Sequence, residues 1–229
     1  MPVVLVHGAG GTHLDWPGAL RRLPNTLALD LPGHGKSRLP GRTSIEDYTA
    51  DVALFLEALN MPKAVIIGHS MGGGIAQMLA LTHPEKVAGL VLVATGAKLR
   101  VHPDIVERVL HDQAGVAALL KEWIWAPAVP QTVREISYER LMETPAQVVQ
   151  GDYYACDHFD IRERLAEIQA PTLIIGGTED RMTPHKFSVF MQENIPQAEL
   201  FTVEGGGHML ALEQPEPVTE AIRQWLERL

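Results

Sequence analysis

Six short apolar runs, separated by stretches with helical spacing, set narrow limits on how this chain can fold. The runs are rich in Val, Ile and Leu and lie at 3–6, 26–29, 64–67, 90–93, 172–175 and 200–203. Runs this short and this apolar are typical of parallel strands that are buried on both faces. Strands that alternate with helices favour right-handed crossovers. The sequence therefore predicts a doubly wound α/β fold with a mostly parallel, six-stranded sheet.

The alternation is interrupted by a long segment, residues 97–165, that contains no convincing strand. Its apolar spacing is typical of several helices, including those predicted at 104–110, 116–124 and 133–142. We expect this segment to be a helical cap inserted over one edge of the sheet. Residues 1–96 and 166–229 should then form the core of the fold.

Composition and charge exclude several classes of protein. The 229 residues include 46% apolar residues, enough to bury the core of one sizeable domain. A formal net charge of −9 without any Lys/Arg run argues against a nucleic-acid partner. Cys156 is the only cysteine, so an intrachain disulfide is impossible. Because no leader-like segment or membrane-length apolar stretch is present, we expect a cytoplasmic protein with no membrane partner.

The pattern Gly-x-Ser-x-Gly occurs at Gly68-His69-Ser70-Met71-Gly72, between predicted elements of the kind that this motif requires. A predicted strand precedes it and a predicted helix follows it. This is the setting of a nucleophile elbow, in which a sharp turn holds the serine in a strained conformation. The flanking glycines leave space where a Cβ atom would clash. The pattern therefore indicates Ser70 as an activated nucleophile.

A serine hydroxyl needs a base, and the base needs an acid that fixes its tautomer. Among ten histidines we favour His208, since it follows the last predicted strand through three glycines, at the sheet edge where ligands bind. Asp180 follows the preceding predicted strand in the same way. Its neighbour Glu179 is the rival for the acid, although adjacent loop residues usually point apart. The predicted chain order is Ser, Asp, His.

A tetrahedral intermediate also needs hydrogen-bond donors for its oxyanion. The Met71 amide, directly after the nucleophile, is one expected donor. The other should come from the glycine-rich segment that ends the first strand, where we assign the Ala9 amide and keep Gly10 as the alternative. We further expect Gly10, Trp123 and Trp125 to contact the substrate. A tight strand-to-helix turn explains the same glycines structurally, and both interpretations can hold together.

Together these segments resemble the α/β-hydrolase superfamily, in its esterase-like branch with a helical cap. Five segments match its successive signatures in order: His7-Gly8-Ala9-Gly10, residues 30–37 (DLPGHGKS), residues 68–73 (GHSMGG), residues 176–180 (GGTED) and Gly207-His208. The resemblance covers nearly the whole chain. It implies that Ser70, Asp180 and His208 form a catalytic triad and that the cap shapes the substrate pocket.

The resemblance is incomplete at the start of the chain. Family members usually begin with two further strands, whereas this sequence starts at the strand before the oxyanion loop. The sheet should therefore have six strands, with the strand near 26–30 at an exposed edge. A protein must cover or pair such an edge, so we expect a homodimer that covers it.

These features predict a serine hydrolase that acts on a small-molecule carboxylic ester through an acyl-enzyme. Two other reactions use the same fold and triad: hydrolysis of a carbon–carbon bond in a diketone-like substrate, and perhydrolysis of a carboxylic acid. A rival from another class is a ligand-binding protein of the same fold without turnover. No spacing of His, Asp, Glu or Cys indicates a metal site, and no cofactor is implied.

Overall fold

The computed structural model describes residues 1–229, with every side chain except that of Ser137. Its six strands are β1 (Val3–Val6), β2 (Thr26–Ala28), β3 (Ala64–His69), β4 (Val87–Val93), β5 (Thr172–Gly177) and β6 (Ala198–Val203). They form one sheet in the order β2-β1-β3-β4-β5-β6, and each neighbouring pair is parallel. The prediction of a doubly wound, six-stranded sheet is confirmed, and the sheet is parallel throughout.

Helices connect the strands and cover both faces of the sheet. They are α1 (Gly18–Arg21), α2 (Ile45–Ala58), α3 (Met71–Thr82), α4 (Pro103–Arg108), α5 (Gln113–Trp123), α6 (Gln131–Glu143), α7 (Ala146–His158), α8 (His185–Asn194), α9 (Leu210–Glu213) and α10 (Pro215–Leu226). Ser44 caps α2, since its side chain accepts a hydrogen bond from the Asp47 amide.

Burial on both faces explains why the strands are continuous apolar runs. Alternate residues of a strand point to opposite faces of the sheet. In β1, Val4 and Val6 pack with α2 and α3, whereas Val3 and Leu5 belong to the core on the opposite face, which includes Trp225 of α10. The sheet is therefore the middle layer of three. The carboxyl ends of its strands lie between the two apolar cores.

The strand β2 lies at one edge of the sheet, as the sequence predicted. Leu27 in this strand is 37% exposed. An apolar groove runs beside it, lined in part by Leu29, Leu39 and Phe55. The homodimer stays a prediction, for which light scattering is the direct test: a mass equal to two chains supports it.

The four helices α4 to α7 lie between β4 and β5, and we call residues 103–158 the helical segment. Residues in or next to α4, α5 and α7 form a small apolar cluster, against which Leu141 of α6 packs; its members are Ile105, Val109, Val116, Leu120, Val149 and Tyr153. The two ends of the insertion meet, because the Ile161 amide donates to the Ala97 carbonyl oxygen at 2.8 Å. None of the helices in the described residues is both long and apolar enough to cross a membrane.

Candidate active site

Ser70 occupies the sharp turn between β3 and α3. Its backbone has φ 51° and ψ −117°, a conformation that residues other than glycine rarely adopt. The turn depends on its flanking glycines: a Cβ atom on Gly68 would lie 2.1 Å from the Gly72 carbonyl oxygen, and one on Gly72 would lie 2.2 Å from that of Val6. The expected strain at Ser70 is thus present in the structure.

Two backbone N–H groups near Ser70 are available for an incoming ligand. Within the described residues, neither the Ala9 nor the Met71 amide has a hydrogen-bond acceptor. The Met71 amide belongs to the first turn of α3, where the helix dipole favours negative charge. The Gly10 amide is not available, because it donates to Oδ2 of Asp152 at 2.8 Å. Of the two alternatives that the sequence left open, the geometry therefore favours Ala9.

His208 follows β6 in a loop that contacts the helical segment. Its backbone amide donates to the Ile124 carbonyl oxygen at 2.9 Å, and its carbonyl oxygen accepts from Nε2 of His69 at 2.9 Å. The carboxylate of Glu213 accepts a hydrogen bond from the Gly207 amide at 2.7 Å. Burial, and secondarily repulsion by His208, lower the pKa of His69 to about 3, so that this ring stays neutral.

Asp180 and His208 form a buried pair. Nδ1 of His208 lies 3.0 Å from Oδ2 of Asp180. The hydroxyl of Thr183 donates to the same oxygen at 2.7 Å, and the Met182 and Thr183 amides donate to Oδ1. Burial would raise the pKa of Asp180, but the charge of His208 and these hydrogen bonds outweigh it and lower the pKa. The rival Glu179 is exposed to solvent.

Ser70 and His208 line one cavity of about 110 Å³ together with Ala9 and Gly10. Its apolar wall comes from the helical segment and the loop after β5, through Ala117, Leu120, Ile124, Leu141, Tyr153 and Met182. Its two cationic side chains are neutralised: Nζ of Lys121 lies 2.7 Å from Glu135, and Arg140 lies 3.4 Å from Asp15. The arrangement suits a small, uncharged group beside the serine hydroxyl.

The sequence model of the alpha/beta hydrolase family matches residues 3–221, almost the whole chain. The chain belongs to the alpha/beta hydrolase family. The resemblance drawn from the sequence motifs is therefore confirmed. In the described residues of this hydrolase, no group of three or more His, Cys, Asp or Glu side chains is placed to hold a metal ion.

Three proteins illustrate what this hydrolase is similar to. The structure of a thermophilic esterase is 32% identical and covers 99% of this chain and 89% of its own, with a TM-score of 0.89. The 3-oxoadipate enol-lactonase 1 of Acinetobacter baylyi is 30% identical and covers 93% of this chain and 84% of its own. A Caulobacter segnis protein assigned as a carbamate hydrolase, RutD, is 27% identical, with 98% of this chain and 91% of its own covered.

The two tryptophans expected to contact the substrate do not line the cavity in the described residues of this hydrolase. Trp123 is 40% exposed, and Trp125 is buried away from the cavity. The next residue after Trp123 does line it, namely Ile124. Adjacent residues of a helix point about 100° apart, and here that rotation turns Trp123 toward solvent and Ile124 toward the cavity. Gly10, the third residue expected to contact the substrate, does lie in the cavity wall.

Sequence reasoning missed residues that hold the site residues in place by hydrogen bonds without lining the cavity. Thr183 was not singled out, although it follows Asp180 by three residues and donates to it twice. Asp152 was also missed, since its link to Gly10 spans 142 positions of the chain. Asp152 lies three or four residues from Val148, Val149, Ala155 and Cys156, and an acidic residue on the apolar side of a helix is a signal that could have drawn attention to it.

Proposed function

We propose that this α/β hydrolase cleaves carboxylic esters through an acyl-enzyme formed on Ser70. One observation carries the proposal: one small cavity is lined by a strained serine, by a histidine that is paired with a buried aspartate, and by Ala9. In the described residues, the amide of Ala9 and that of Met71, directly after the serine, have no acceptor. The groups are of the kinds that acyl transfer requires as nucleophile, base, orienting acid and oxyanion donors, and this supports the proposal.

In this mechanism His208 removes the Ser70 proton as the hydroxyl oxygen attacks the ester carbonyl carbon. Asp180 keeps His208 in the tautomer that carries a proton on Nδ1. Asp180 also stabilises the imidazolium that forms when His208 takes the second proton. The Ala9 and Met71 amides donate to the oxyanion of the tetrahedral intermediate. His208 then gives its proton to the departing alcohol. A water molecule attacks the acyl-enzyme by the same route and releases the carboxylic acid.

The cavity supports a short, neutral acyl group as the preferred substrate. Its volume of about 110 Å³ is well below the roughly 300–1,000 Å³ of pockets that bury drug-sized ligands. Its apolar wall offers no partner for a charged acyl chain, and its cations already have carboxylate partners. The esterase and enol-lactonase relatives fit this proposal, because a lactone is a cyclic ester that opens by the same attack.

The proposal is tested first by labelling with a fluorophosphonate, which reacts with an activated serine. We expect the intact protein to gain one adduct, which peptide mass spectrometry locates on Ser70. The Ser70→Ala variant should gain none. Ser188→Ala is the control, because Ser188 is a buried serine outside the cavity and its removal should leave the adduct on Ser70. An unlabelled wild-type protein would indicate a ligand-binding chain without turnover and would overturn the proposal.

Turnover is then measured on p-nitrophenyl esters of increasing acyl length, with a p-nitrophenyl carbamate, a diketone and a peroxide-dependent assay beside them. We expect the highest kcat/KM on the short esters and no turnover by Ser70→Ala. Faster turnover of the carbamate, of the diketone or in the peroxide assay would replace the ester assignment by that reaction.

A further inference from the structure

The peptide groups of Gly10 are held on both sides by the helical segment. The Gly10 amide donates to Oδ2 of Asp152 at 2.8 Å. The Gly10 carbonyl oxygen accepts a hydrogen bond from the hydroxyl of Thr144 at 3.0 Å. Both side chains are buried, at 0% and 3% exposure. The loop that should supply an oxyanion donor is thus attached to helices that lie more than a hundred residues later in the chain.

Asp152 is part of a buried polar cluster. Besides Gly10, it accepts hydrogen bonds from Nε2 of His34 at 2.8 Å and from the Tyr48 hydroxyl at 2.5 Å. Nδ1 of His34 lies 3.0 Å from the Pro32 carbonyl oxygen. A carboxylate and a carbonyl oxygen only accept, so both ring nitrogens of His34 must carry a proton. His34 and Asp152 therefore form an ion pair, and both side chains are 0% exposed.

A buried ion pair is costly to desolvate and contributes little net stability compared with apolar packing. Its position suggests another role. Because the hydrogen bonds from His34 and Tyr48 fix the Asp152 carboxylate, it can hold the Gly10 amide in one direction. The Gly11 amide donates to the Gly8 carbonyl oxygen at 3.1 Å and closes a tight turn whose two central residues are Ala9 and Gly10. Ala9 is thereby confined between two fixed points.

We propose that Asp152 and Thr144 are positioning residues that aim the Ala9 amide into the cavity, so that the helical segment sets the oxyanion site as well as the cavity wall. This inference rests on the proposed function, in which the Ala9 amide donates to the oxyanion. The helical segment then contributes to stabilising the transition state. A change in its packing should alter the rate of the chemical step for every ester.

The effect should appear in kcat and not in KM, since the oxyanion exists only in the transition state and the intermediate. Loss of one oxyanion donor lowers kcat by about 10²- to 10³-fold in a serine hydrolase. A misdirected donor should cost less than a deleted one. We therefore expect Asp152→Ala to lower kcat by about 10- to 100-fold, with KM changed by less than about threefold.

Asp152→Asn is the conservative rescue variant. Its amide oxygen can still accept from Gly10, and its NH2 group can donate to the Tyr48 hydroxyl oxygen. We expect this variant to recover most of the lost kcat. A purely structural role predicts a different outcome, in which the midpoint of thermal unfolding falls for Asp152→Ala while kcat at a temperature well below that midpoint is unaltered.

Thr144→Val tests the other side of Gly10 if Asp152→Ala fails to fold. It removes only the hydroxyl donor and keeps the shape of the side chain, so we expect a fall in kcat of about 3- to 10-fold. Thr49→Val is the matched control, because the buried Thr49 hydroxyl donates to the Ile45 carbonyl oxygen and Thr49 does not line the cavity. The control should lose some stability and keep its kcat.

The experiment is a set of kcat and KM values on a p-nitrophenyl ester for the wild type and these variants, with unfolding midpoints measured in parallel. If the wild type hydrolyses no ester, the proposed function fails. If the wild type is active and both Asp152→Ala and Thr144→Val keep kcat within about twofold of it, the positioning role is overturned while the proposed function stands.

Discussion

Nδ1 of His208 lies 3.0 Å from Oδ2 and 3.2 Å from Oδ1 of Asp180. Each carboxylate oxygen also accepts from Thr183, through its hydroxyl or its amide. The carboxylate is thus fixed in orientation before any substrate arrives, and it fixes the ring in turn. The proposed transfer of a proton from Ser70 benefits from this preorganisation, because the Asp180 carboxylate and the His208 ring need not reorient as the positive charge develops on the ring.

We predict that Asp180→Asn lowers kcat by about 10³- to 10⁴-fold, since an amide stabilises the wrong tautomer of His208 and cannot offset the imidazolium charge. Glu179→Gln should keep kcat within about twofold of the wild type, because Glu179 is exposed. Steady-state kinetics on a short p-nitrophenyl ester checks both variants. A larger loss from Glu179→Gln would show that the acid had been wrongly chosen.

We predict that Ser70→Gly is more stable than Ser70→Ala, although both variants are inactive. The backbone at Ser70, with φ 51° and ψ −117°, is strained for any residue with a Cβ atom. Glycine relieves the strain and loses more chain entropy on folding, so a net difference of about 1 kcal/mol is expected. Urea unfolding of the two variants measures it. Equal stability would mean that the turn holds no strain.

Much of this fold could be predicted because its strands are buried on both faces. Runs such as Val3–Val6 carry a strong local signal, and burial on each side of the sheet leaves no polar residue to interrupt it. The positions of Asp180 and His208 followed from topology, because the carboxyl ends of parallel strands meet at one edge. These predictions required only local patterns and the order of the strands.

The cavity wall and the support of the loop around Gly10 could not be predicted in the same way. Which face of α5 meets the cavity depends on how the helical segment packs on the sheet, and the bulk of Trp123 gave no information about that direction. The contact of Asp152 with Gly10 joins residues that are 142 positions apart. Neither relationship leaves a trace in local spacing.

We predict that the ion pair between His34 and Asp152 makes stability depend on pH in the neutral to alkaline range. Burial disfavours the charged ring, but the hydrogen bond to Asp152 and the charge of Asp152 outweigh it and raise the pKa of His34 above its ordinary value of 6.5. The pair therefore stabilises the fold fully below pH 6.5, and the contribution disappears as the pH rises through the raised pKa of the folded state.

The measurement is the free energy of urea unfolding for the wild type and His34→Gln, from about pH 5.5 to about pH 9. We expect the variant to be less stable by about 3 kcal/mol at the acid end, with the difference shrinking toward the alkaline end. His111→Gln is the control, since His111 is exposed, and its difference should stay small and flat. A difference that grows with pH would contradict the assignment of an imidazolium at His34.

Finally, we predict that Leu120→Ala shifts the substrate preference toward longer acyl chains. Leu120 lines the cavity and is 4% exposed, so its truncation adds volume beside Ser70 at a cost of about 2–3 kcal/mol in stability. One methylene group in an apolar pocket is worth about 1–3 kcal/mol, and the ratio of kcat/KM for the hexanoate to that for the acetate ester should rise about tenfold.

Trp123→Ala is the control. It removes a larger side chain that lies outside the cavity, so the ratio should not change. If Trp123→Ala altered the ratio and Leu120→Ala did not, the substrate would have to bind along the outer face of α5.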